Sequence, residues 1–267
     1  MRVAARSPLP RFDDTRVEHR IVDGRPAVVY EAIRYRSPKR ASGSSPSRRS
    51  ASSLLERAAA CVALIALATV YFRVVRPWQM TWGATEAEAR GKVAGDELIP
   101  NAGIVSTRVV EIGAPASAIW PWLVQMGPGR GGAYTYDWIE RRLGIDIRNV
   151  DQIVPEFQNL DVGDEIGMPG YTMRVERLDA ERAMVVRSSN RAWLWAFELR
   201  PADGRTRLIS RNSFDTSALR MRDWLVYPII EPGSWVMERK MLLTIKRLAE
   251  SLASSRAARP REPDGSS

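Results

Sequence analysis

Trp193, Trp195, Phe197 and Leu199 occupy every second position of the segment AWLWAFEL. In a strand this spacing puts all four on one face, and a face so apolar has to be covered. The cover is found further along the chain. Between Trp235 and Leu252, the residues Met237, Met241, Ile245, Leu248 and Leu252 recur at helical spacing. Glu238, Arg239, Lys240, Lys246, Arg247 and Glu250 fall mostly elsewhere, so the pattern predicts an amphipathic helix with one buried stripe. A sheet closed by a long final helix can enclose a cavity.

The rest of the sheet is legible as a meander. Strands are expected at Glu165 to Met168, Tyr171 to Leu178, Ala183 to Ser188, Ala192 to Arg200 and Arg205 to Asn212, with LDAER, SSNR and PADG as turns. A first strand is expected in STRVVEIGAP (Ser106 to Pro115). PASAIWPWLVQM then reads as a helix interrupted at Pro121, because a proline cannot donate to the carbonyl of Ser117. After the glycine-rich turn Gly127 to Tyr134, YDWIERRL reads as a second short helix, with Thr135 as its N-cap.

Five regions follow along the chain. Residues 1–53 are rich in Arg, Ser and Pro and are expected to be a disordered basic leader, with a marginal hairpin around Asp23 and Gly24. Residues 54–75 contain the uncharged run Ala58 to Phe72, which covers only about 22 Å as a helix. From Leu54 to Val75 the span is about 33 Å, enough for the roughly 30 Å hydrocarbon layer. A transmembrane signal anchor is therefore expected there. Basic residues slightly favour the N-terminal side, which predicts a cytoplasmic N-terminus and a single-pass protein whose folded domain lies outside the cytoplasm. Residues 76–104 read as a juxtamembrane connector, 105–253 as the folded domain and 254–267 as a polar, disordered tail.

Charge and reactive side chains narrow the function. Of the net +9, +7 sits before residue 58, since 13 of the 40 Lys and Arg and 6 of the 31 Asp and Glu fall there. The domain is close to neutral, and nucleic acid is not an expected partner. The single histidine, His19, lies in the leader, and the single cysteine, Cys61, lies in the apolar run. Imidazole chemistry, thiolate metal sites and intramolecular disulfides are thereby excluded from the domain. No metal and no cofactor is expected.

The order of strand, two helices, antiparallel meander and long final helix resembles the helix-grip fold of the START and Bet v 1-like superfamily, also called SRPBCC or polyketide cyclase/lipid-transport-like. The resemblance is carried by WPWLVQMGPGRGGAYTYDWIERRLGIDI (Trp120 to Ile147), by AWLWAFEL with TRLISR (Thr206 to Arg211), and by EPGSWVMERKMLLTIKRLAE (Glu231 to Glu250). A GDELIP-type connector (Gly95 to Pro100) is similar to that of a bacterial membrane-anchored subgroup of unknown function. The resemblance implies an α+β class, a curved antiparallel sheet wrapped around the C-terminal helix, and a pocket between them.

That pocket would be lined by Trp122, Met126, Tyr134, Met173, Val175, Trp193, Trp195, Phe197, Met237 and Met241. Taken singly, each is better explained by ordinary core packing. Aromatic faces and adaptable methionines together suit a hydrophobic small molecule or lipid. The alternative is a cyclase or dehydratase acting on a polyketide-like or aromatic substrate, with Tyr134, Tyr136, Asp137 and Arg130 handling protons and an oxyanion. Asp137 equally suits the first turn of its helix. The loop Gly127 to Gly132 lacks the GxxxxGK[ST] order of a nucleotide site. Arg211 is read as a solvent-facing side chain, or else as an inward ligand anchor. Ligand identity and oligomeric state are not encoded legibly.

Overall fold

The computed structural model describes residues 17–22, 25–30, 48–142, 148–168, 171–217 and 221–258. The chain divides into two compact units, Met1–Val62 and Ala63–Ser267. In the first, β1 (Val17–Val22) pairs antiparallel with β2 (Arg25–Tyr30), Val17 opposite Tyr30 and Val22 opposite Arg25. The ladder brackets Asp23 and Gly24, which lie outside the described residues, as do most of the leader and the end of the tail.

Helix α1 (Arg48–Val70) runs on through a π-turn, Tyr71–Val75, into α2 (Arg76–Met80). Within it, Leu55–Met80 is long and apolar enough to cross a membrane, with a mean hydropathy of 2.1 and none of its most apolar window buried by protein. Pro77 accounts for the π-turn. Its ring would strike the carbonyl of Arg73 in a regular helix, and widening the turn lets the Arg76 N–H bond to the Tyr71 carbonyl instead.

Beyond Met80 come α3 (Glu86–Arg90), β3 (Ile104–Ile112), α4 (Ala116–Val124) and α5 (Asp137–Arg142). The meander is β4 (Glu165–Met168), β5 (Tyr171–Asp179), β6 (Ala183–Ser188), β7 (Trp193–Ala202) and β8 (Arg205–Phe214), and α6 (Met221–Ala258) ends the described chain. All six strands from β3 onward form one antiparallel sheet in the order β3-β8-β7-β6-β5-β4, so the first strand pairs with the last. A bulge between Val175 and Arg177 bends β5. This is the helix-grip arrangement, of α+β class.

α6 begins fourteen residues before the expected Trp235, across Pro228 and Pro232. Tertiary anchors offset what the prolines take from the helix. Glu231 accepts two hydrogen bonds from Arg76, at 2.8 and 2.7 Å, and the rings of Trp235 and Trp78 meet at 5.1 Å. These contacts tie α6 to the domain end of the apolar helix. The helix also runs through Ser254 to Ala258, where a tail was expected.

Both faces of the sheet are covered. On the concave face, Met241, Leu242, Ile245 and Leu248 of α6 pack with Ile119 and Leu123 of α4 over Val110, Ile112, Phe197 and Leu208. On the convex face, Val93 and Ile99 of the connector pack on Val109, Val185, Leu194, Ala196 and Ile209. The connector is thus part of the domain. A Cβ at Gly95, where φ is +89°, would lie 2.7 Å from Val185 Cγ1, so glycine allows the connector to lie directly on the sheet.

Candidate functional site

Arginines lock the connector down. Buried Arg211 donates to the carbonyls of Glu88, Ala89 and Gly91 at 2.8 to 3.0 Å, to Asp96 at 2.6 Å and to Thr107 Oγ1 at 2.9 Å. It therefore caps the C-terminus of α3 from behind the sheet, neither in solvent nor in a ligand site. Arg207 donates to both oxygens of Glu88, at 2.6 and 2.8 Å, and Thr85 and Glu88 close a capping box at the start of α3.

The concave side holds a polar network in its core. Arg108 on β3 is buried beneath α6, where it pairs with Glu238 and donates to the Gln79 carbonyl at 3.0 Å. Glu238 also accepts from Ser210 Oγ at 2.7 Å and from Asn212 Nδ2 at 3.1 Å. Burial pushes the Glu238 carboxyl above its usual range, although Arg108, Ser210 and Asn212 all favour the charged form. Ser210 and Asn212 receive in turn the indole N–H groups of Trp195 and Trp193, each at 2.8 Å.

Those tryptophans form the wall of a cavity of about 160 Å³. Its other sides come from Ile166 and Gly167 on β4, Met173 on β5, Met184 and Val186 on β6, and from Met126, Gly127, Pro128 and Ala133 on the loop after α4. Strand pairing explains the grouping. Trp195 lies opposite Val186 and Phe197 opposite Met184, so alternate residues of β6 and β7 share the concave face. Phe214, Trp193 and Trp195 stack in succession along it and Phe197 follows tilted against Trp195, with centroids 4.9 to 5.7 Å apart.

Of the ten residues expected to line a pocket, Met126, Met173, Trp193 and Trp195 border this cavity. The other six sit elsewhere. Trp122, Tyr134, Val175, Phe197 and Met241 are buried in the concave core, and Met237 is half-buried on α6. Among the described residues, no α6 side chain borders the cavity, and the Glu238 network and Met241 are buried beneath the helix. Gly127, Pro128, Ala133, Ile166, Gly167, Met184 and Val186 were not singled out from the sequence. Val186 and Met184 were detectable, since their parity in AMVVRS matches that of Trp195 and Phe197 across the turn.

The four polar candidates are separated from the cavity. Tyr134 is buried, accepts from Gln125 Nε2 at 3.0 Å, and has its phenol pushed up to about 12 by burial. Arg130 donates to the carbonyls of Phe157 and Val124 at 2.6 and 3.3 Å, and its guanidinium lies 5.2 Å from the Phe157 ring centre. Asp137 accepts from Asn149, whose Oδ1 receives the Tyr134 N–H at 2.5 Å. The Tyr136 ring faces the Lys240 ammonium at 5.7 Å. None of the four borders the cavity.

The glycine loop is closed on itself. Gly127 and Gly132 exchange hydrogen bonds at 2.9 and 3.1 Å, while the N–H groups of Arg130 and Gly131 bond to Gly127 and Gln125 carbonyls. Those four amides face inward and are not available to an anion. Buried Gln125 organises the surroundings by also bonding Gln152, Val154 and Gln158. A larger furrow, about 1010 Å³, lies at the other end of the sheet beside Arg177, Arg182 and Arg200. It is bordered by ion pairs that close on themselves, Arg177 with Asp179 and Arg200 with Glu198, and is open to solvent. Among the described residues, no three His, Cys, Asp or Glu side chains are grouped to hold a metal.

No family model and no curated protein matches the chain. Solved structures do. They include a Mesorhizobium loti protein at 17% identity, covering 54% of this chain and 97% of its own, with a TM-score of 0.31. A polyketide-cyclase-like protein from Corynebacterium glutamicum has 12% identity, covers 57% and 91%, and has a TM-score of 0.26. The Aha1 dimer from Colwellia psychrerythraea has 13% identity, covers 54% and 98%, and has a TM-score of 0.31. These values carry no argument about activity, and the fold assignment stands on strand order and helix placement.

Proposed function

We propose that this is a membrane-anchored binding protein for a hydrophobic small molecule or the apolar end of a lipid. The observation that carries the reading is the cavity at Trp193 and Trp195, whose wall is built of aromatic, aliphatic and thioether groups. At about 25 cal/mol per Å², burying roughly 160 Å² of ligand surface there contributes about 4 kcal/mol, which corresponds to a dissociation constant near 1 mM. The cavity therefore grips one ring or a short chain end, and a bilayer that concentrates apolar molecules supplies the rest. The apolar helix Leu55–Met80 supports that tether, and the basic bias of its N-terminal flank favours a domain outside the cytoplasm.

The test is equilibrium dialysis of naphthalene against the full-length chain in nanodiscs, with empty nanodiscs as reference. Saturable binding above the reference, lost when Val186→Phe fills the cavity, is the expected result. Uptake equal to that of empty nanodiscs would refute it.

A further inference from the structure

The two cavity tryptophans each have one polar atom, and the sheet decides where it points. β7 lies between β6 and β8. The cavity is on the β6 side, bounded by Met184 and Val186, with Met173 and Ile166 beyond. Both indole N–H groups reach the other way, to Asn212 and Ser210 on β8. The reach is diagonal in each case, since Trp193 pairs with Phe214 and Trp195 with Asn212, so the two rings slant together and stack at 5.5 Å.

The acceptors are held in turn. Asn212 presents Oδ1 to Trp193 because its Nδ2 donates to Glu238, and Ser210 leaves Oγ lone pairs for Trp195 because its hydrogen goes to Glu238. On the loop at the mouth, Gly127 bonds to Gly132 in both directions, and Pro128 has no N–H.

We infer that Ser210 and Asn212, oriented by Glu238, set the selectivity of this cavity. By drawing both indole donors toward β8, they leave a space suited to a planar hydrocarbon or alkyl end that has no hydrogen-bonding group. The inference rests on the binding reading above and names its ligand class. All three are positioning residues, acting through the tryptophan rings. Among the described residues bordering the cavity, no side chain offers a ligand acceptor atom a donor, and an unmet polar group of that kind weakens binding about tenfold or more.

The experiment uses the full-length chain, labelled with ¹⁵N-tryptophan, in nanodiscs. Naphthalene and quinoline have the same shape, but quinoline carries one ring acceptor. Each is titrated while the Trp193 and Trp195 indole N–H signals are followed, with affinities referred to the concentration dissolved in the bilayer. The expected result is naphthalene favoured about tenfold or more. In Asn212→Leu, which frees the Trp193 N–H, the ratio falls toward one or inverts. Ser210→Ala does the same through Trp195 and serves if Asn212→Leu does not fold. A purely structural role would weaken both ligands equally and leave the ratio unchanged, which would overturn the inference, as would equal binding by the parent protein. Binding of neither ligand would overturn the reading beneath it as well.

Discussion

Glu238 and Arg108 form an ion pair across 130 residues of sequence, with their side chains only 5% and 2% exposed, in the space between sheet and final helix where a cavity would otherwise lie. The pair relocates the hollow part of the fold. Among the described residues, the apolar cavity lies toward β4, β5 and β6, bordered by the loop after α4.

The pair should be costly to break and inexpensive to replace. Arg108→Ala leaves buried Glu238 without its cation, so a loss of about 3 to 5 kcal/mol is expected in denaturant unfolding. The double change Arg108→Met with Glu238→Leu should recover most of that loss. Recovery of none of it would mean that the pair stabilises the fold well beyond its desolvation cost.

A second ion pair controls acid stability. Burial raises the Glu88 carboxyl, but hydrogen bonds from Arg207 and Thr85 outweigh this and lower it from 4.5 to about 2. A carboxylate lowered by folding stabilises the protein above its unfolded value, and that contribution is lost as pH falls through the folded one. The melting temperature of the parent chain should exceed that of Glu88→Gln at pH 6, with the difference shrinking from about pH 4.5 to pH 2. A difference independent of pH would contradict the assignment.

Arg211 should tolerate no lysine. One ammonium cannot reproduce the guanidinium fork that reaches three carbonyls, Asp96 and Thr107. Arg211→Lys should cost about 2 to 3 kcal/mol and speed amide exchange in residues 84–102, with little change in β6 and β7. Uniform loss of protection would show that the connector is not a separately latched layer.

Tyr134 belongs to the support of the loop. Its phenol meets Gln125, and its ionisation lies far from neutral pH. Tyr134→Phe should leave naphthalene uptake within about twofold while removing about 1 kcal/mol of stability. Abolished binding in a folded variant would return Tyr134 to the ligand site.

The strands and the final helix were legible because alternation and helical spacing are local signals, and AWLWAFEL and the Met237-to-Leu252 stripe carry them strongly. Glu238 was misplaced among the surface charges of α6 because its reason for burial, Arg108, lies on β3. The connector's role was missed for a different cause. Val93 and Ile99 are sparse anchors in a polar stretch, yet Leu194 and Ala196 fill the positions between Trp193, Trp195 and Phe197. A strand apolar on both faces needs two covers, and that rule pointed to a second layer. The start of α6 was hidden by Pro228 and Pro232, whose local effect is outweighed by the contacts of Glu231 and Trp235.

Xenon tests the central claim most directly, because an apolar cavity of about 150 Å³ stays dry and takes up the gas. Crystals of the full-length chain under xenon pressure should show an anomalous peak bounded by Trp195, Met173, Met184 and Ile166. Side chains closing that volume, or ordered water filling it, would contradict the account.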